Sequence, residues 1–72
     1  MIPQSALLAY EWRHAMSHAR RCIREARAAM PVVDYVWLNA ARVSLRRAAD
    51  YRARYHVARS QESINRVLGG LL

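Results

Sequence analysis

The chain has 72 residues, a formal net charge of +7 and a single cysteine, Cys22. So short a chain buries a small fraction of its surface, and one cysteine with no zinc-type ligand cluster excludes a disulfide or structural-metal scaffold, leaving helix packing and association. The charge comes from twelve arginines and no lysine, and it attracts nucleic acid, anionic membrane or an acidic protein surface without choosing among them.

Alanine, arginine, leucine, methionine, glutamate and glutamine are good helix formers, and the two glycines both lie near the end. Pro3 fits the first turn of a helix, which predicts helix over residues 4–29. Pro31 disfavours the α conformation at Met30 and ends that helix, giving a turn over 30–34. Asp34 is the N-cap of a second helix predicted from Tyr35 through residue 59. Residues 59–63 are polar, and Ser60 is able to cap a fresh start. A bend or a short third helical segment is therefore expected over 61–69, with Ile64, Val67, Leu68 and Leu71 at helical spacing and Gly69-Gly70 weakening it.

No stretch reaches the ~20 apolar residues of a membrane span. Residues 1–10 lack the basic start of a signal peptide, and Glu11 interrupts the segment after them. One free cysteine suits a reducing compartment, so a cytoplasmic protein is the expectation.

The first helix carries Leu8, Trp12, Ala15, Ala19, Cys22, Ala26 and Ala29 at alternating spacings of four and three, which is a heptad seam. The second carries Trp37, Ala41, Ser44, Ala48, Tyr51, Tyr55 and Ala58 at the same spacings. Folding the chain back at Pro31 and Val32 predicts an antiparallel hairpin. Leu8 then meets Tyr55, Trp12 meets Tyr51, Ala15 meets Ala48, Ala19 meets Ser44, Cys22 meets Ala41 and Ala26 meets Trp37. Small residues oppose small ones in the central layers, so the helices approach to near the ~8 Å lower end of usual interaxial distances.

The register assigns the flanks. Met16, Ile23 and Met30 with Leu38 and Leu45 merge into one apolar face, edged by Arg13, Arg20, Arg27 and Arg42. Glu11, His18 and Glu25 lie on the other flank opposite Arg54, Arg47 and Ala40, with Glu11–Arg54 an expected ion pair. A two-helix hairpin with an uncovered apolar face is unfinished. The expected completion is a homodimeric four-helix bundle through Met16, Ile23, Met30, Leu38 and Leu45. The second choice is the Ile64–Leu72 end folding back as a third helix, and the last is a face reserved for a different protein.

Candidate chemistry is sparse. His14 and His18 are one turn apart, but no third metal ligand is well placed, so solvated histidines are expected. Cys22 with His18 has the spacing of a nucleophile and base, yet Cys22 fills a small-residue layer and reads as a buried structural thiol. The five carboxylates are scattered and no glycine-rich loop exists. No enzyme activity, cofactor or metal is expected.

The arginines with Tyr10 and Tyr35, which fall off the seam, are the candidate partner surface: Arg13, Arg20, Arg24, Arg27, Arg42 and Arg46. Arginine supplies bidentate carboxylate contacts and is enriched at interface hot spots. The expected function is a non-enzymatic interaction module, an adaptor or inhibitor of an acidic protein, suited by analogy to a small regulator of a phage or mobile element. The alternative is a sequence-tolerant nucleic-acid binder with salt-dependent affinity, although no helix-turn-helix signature or cluster of base-reading side chains is present. Membrane binding is disfavoured, because the apolar face is committed to packing.

Overall fold

The structure, a computed structural model, describes residues 1–28 and 34–71. It contains two α-helices, α1 (Gln4–Ala28) and α2 (Tyr35–Leu71), packed against each other. Neither is long and apolar enough to cross a membrane. Ala29, Met30 and Pro31, where the first helix was expected to end and the turn to form, lie outside the described residues, as does Leu72.

The helix starts follow from local chemistry. Pro3 supplies its carbonyl to the amides of Ala6 and Leu7, opening α1 with no amide of its own to satisfy. Asp34 caps α2: its Oδ1 accepts from the amides of Val36 at 3.0 Å and Trp37 at 3.4 Å.

The helices run antiparallel, since Ser5 near the start of α1 meets Glu62 near the end of α2, while Trp12 meets Tyr55. The seam closes on small side chains. Ala15, Ala19, Cys22 and Ala26 of α1 and Ala41, Ser44 and Ala48 of α2 are buried, and Trp12, Trp37, Tyr51, Tyr55 and Ala58 are half-buried at its ends. Every described member of the two predicted seams is buried or half-buried. The Cα trace measures 63 × 17 × 11 Å, a ribbon one helix layer thick.

Three expectations change. First, α2 does not break near Ser60, and no third segment folds back over the hairpin: one helix continues to Leu71. Ser60 carries no proline beside it to remove an amide, and side-chain bonds span the polar stretch, from Gln61 Nε2 to Asn65 Oδ1 at 3.1 Å and from Ser5 to Glu62. Second, Trp12 meets Tyr55, one turn beyond its expected partner Tyr51, with the ring planes tilted and the centroids 5.9 Å apart. Helical side chains lean towards their own N-terminus, so in an antiparallel pair long side chains lean along the seam in opposite directions and meet about a turn away from the pairing of their Cα atoms. Third, Arg54 pairs not with Glu11 but with Asp50 one turn before it on α2, at 3.1 Å. A neighbour at i−4 needs no long reach between helices.

Candidate interaction surface

The seam has two exposed flanks of different chemistry. On one, a cleft is lined by Glu11, His14, His18, Arg47 and Tyr51 above Ala15 and Ser44. Tyr10 belongs to this flank, its ring stacked on His14 with centroids 6.1 Å apart. Cys22 is fully buried, and its Sγ hydrogen-bonds His18 Nε2 at 3.7 Å. The thiol is enclosed in the seam. Among the described residues no three His, Cys, Asp or Glu side chains come together as a metal site.

The opposite flank is apolar with an arginine rim. A groove of about 390 Å³ is lined by Ala9, Trp12, Arg13, Met16, Arg20 and Tyr55. Arg20 also borders a second, about 480 Å³, with Ser17, Ile23, Arg24 and Arg27. The two share Arg20 and succeed each other along α1 as a shallow trough, the second part of it lined by α1 residues alone. Its α2 side begins with Arg52, whose guanidinium carbon stands 5.8 Å over the Trp12 ring, and His56, whose ring lies 6.5 Å from Trp12. Leu45 and Leu38 precede Arg52 at intervals of seven residues and so lie on the same line of the helix. Met16, Ile23 and Leu38 are half-buried, and Leu45 is exposed. Met30, expected on this face, lies outside the described residues.

No known family model matches the chain. Neither a curated protein nor a solved structure is significantly similar to it.

The structure gathers only part of the expected partner surface. Arg13, Arg20, Arg24 and Arg27 line the trough or its outer edge, and all are exposed. Arg42 and Arg46 are exposed on α2. Tyr10 sits on the histidine flank, and Tyr35 stands 78% exposed at the first turn of α2, so neither joins the trough. Trp12, Tyr55 and Arg52 were not expected in it. Their signal was the long reach of their side chains from the end layers of the seam.

A polar clamp closes the open end of the hairpin. The Glu62 carboxylate accepts from the Ser5 hydroxyl at 2.7 Å and from the Ser5 amide at 3.1 Å. The Ser5 hydroxyl, then its amide, holds the Glu62 carboxyl below the usual carboxylate range, with Arg59 and Arg66 adding to the effect and burial opposing it. The amide is one of those at a helix start that have no partner within the helix, so α2 caps α1. Beyond the clamp, α2 continues past the first residue of α1, with Ile64, Val67, Leu68 and Leu71 all exposed.

Proposed function

We propose that this protein is a non-enzymatic interaction module, a small basic adaptor or inhibitor whose trough along α1 docks a partner protein. The observation that carries this reading is the size of the core. Among the described residues the largest fully buried side chain is Cys22, and the rest of the buried apolar set is alanine. Burial is worth roughly 0.8 kcal/mol per methylene-sized group, so a seam of alanines contributes little stability of its own. The residues with most to gain, Trp12, Met16, Ile23, Leu38 and Tyr55, are only half-covered. Association through that flank completes the fold and performs the binding in one step. A partner that packs helix against this flank covers the side chains the hairpin leaves half-exposed, as neighbouring helices do in a bundle.

The mixture of aromatic rings, methionine and arginine favours a protein over nucleic acid. Such a floor complements apolar side chains, whereas phosphate needs only the charge. Affinity capture with the tagged full chain, with and without nuclease, tests the reading. The expected result is a protein retained after nuclease treatment and lost with Arg20→Glu/Arg27→Glu. A capture abolished by nuclease, with a gel shift of random duplex DNA that weakens steeply with salt, refutes it.

A further inference from the structure

We infer that the trough takes one acidic amphipathic helix of a different protein, read in seven-residue steps; the inference rests on the interaction-module reading above.

Its ground is the placement of charge around the apolar floor. Arg13, Arg20 and Arg27 border the trough on α1, and Arg52 borders it on α2. All five carboxylates of the chain are engaged or face elsewhere. Asp34 caps α2, Asp50 pairs with Arg54 and Glu62 is held by Ser5. Glu11 lines the histidine cleft, and Glu25, fourteen residues on, shares its place in the heptad. The rim is cationic with no carboxylate of its own to answer it. A second copy docked face to face would set arginine against arginine, and like charges brought together at an interface select against that partner. An acidic helix would meet each guanidinium with a carboxylate, the bidentate pairing at which arginine excels.

The same residues set the period of the ligand. Ala9, Met16 and Ile23 recur every seven residues along the floor, and Arg13, Arg20 and Arg27 every seven along the rim. A helix lying along α1 must present apolar side chains in seven-residue steps to the floor, and Asp or Glu in the same steps to the rim. From Ala9 to Arg27 the trough runs about 27 Å, enough for a helix of five turns.

The test uses the full chain and a synthetic three-heptad helix with leucine at a and d and glutamate at e and g, beside the same peptide with lysine for glutamate. Calorimetry should show 1:1 binding of the glutamate peptide that weakens with salt, and none of the lysine peptide. Arg13→Glu/Arg20→Glu on the rim and Ile23→Asp on the floor should each weaken binding about tenfold or more with the helical circular dichroism unchanged. Equal binding of both peptides, no binding, or an unchanged affinity in the rim variant overturns the inference. So does light scattering that gives twice the 8.3 kDa chain mass, restored to one chain by Ile23→Asp, because a second copy then fills the trough. If the peptide fails while nuclease-resistant, arginine-dependent capture persists, only the choice of occupant falls. If that capture fails too, the module itself is refuted.

Discussion

Replacing Ala19 by leucine places a branched side chain in the tightest part of the seam, where Ala19 is 1% exposed and its layer neighbours are themselves alanine, serine and cysteine. The residues facing it across the seam are small and tightly enclosed, so the helices must move apart or the leucine must leave its rotamer. Overpacking of this kind costs about 1–3 kcal/mol. For a chain of this size each kcal/mol lowers the melting temperature by roughly 4–8 °C, so a fall on the order of 4–24 °C is expected. Thermal melting followed by circular dichroism measures it. Ala49→Leu is the control: it changes the same atoms beside buried Ala48, but at an exposed position, and should stay within about 0.5 kcal/mol of the parent. If Ala19→Leu melts with the parent while Ala49→Leu does not, the seam has been placed on the wrong faces.

Single contacts give further expectations. Asp34→Ala removes the acceptor of the Val36 and Trp37 amides and should cost about 1 kcal/mol, read as a lower melting temperature. Glu62 has its pKa lowered by folding, so its contribution is complete above the usual carboxylate pKa and is lost as pH falls through the lower folded value. The Glu62→Gln variant should therefore be less stable than the parent at neutral pH, with the gap in melting temperature narrowing below pH about 4; a gap independent of pH would contradict the clamp. Gly70 lies within α2 with open space where a methyl group would go, so Gly70→Ala should firm the helix end and gain up to about 1 kcal/mol, read as stronger helical circular dichroism.

The hairpin was legible because its signal is periodic. Two seams with identical spacing and small central residues specify both helices, their facing sides and their antiparallel arrangement, and Pro3 and Asp34 carry the chemistry of a helix start in their own side chains. The Ser5–Glu62 clamp was within reach by the same rule. One further step of the heptad before Leu8 lands on Ser5, and one after Ala58 lands on Glu62. A polar stretch around Ser60 masked it, because serine is a capping residue and local composition there argues for a break. What decided the matter was a contact between residues 57 apart in sequence, which no local propensity carries. The pairing of Trp12 with Tyr55 was hidden for another reason. A register counted on Cα positions ignores the lean of long side chains, an omission that is harmless for alanine and amounts to about a turn for an aromatic ring. Arg54 was misassigned by weighing a partner across the seam above Asp50 on its own helix.

The site was legible in its materials more than in its arrangement. The arginine edge and the residues of the apolar face come from the same register as the seam. That Trp12, Arg52 and Tyr55 add an aromatic end to the trough depends on side-chain reach. That no carboxylate answers the rim became visible only once Asp50, Asp34 and Glu62 had each been placed with a partner of their own.

The central claim, that the apolar flank with its arginine rim is where this protein binds, is tested most directly by NMR of the methyl-labelled chain titrated with the glutamate peptide. The shifts should concentrate on the Met16, Ile23, Leu38 and Leu45 methyls, leaving the His14 and His18 ring signals across the hairpin in place. Shifts centred on those histidines, with the four methyls unmoved, would contradict it.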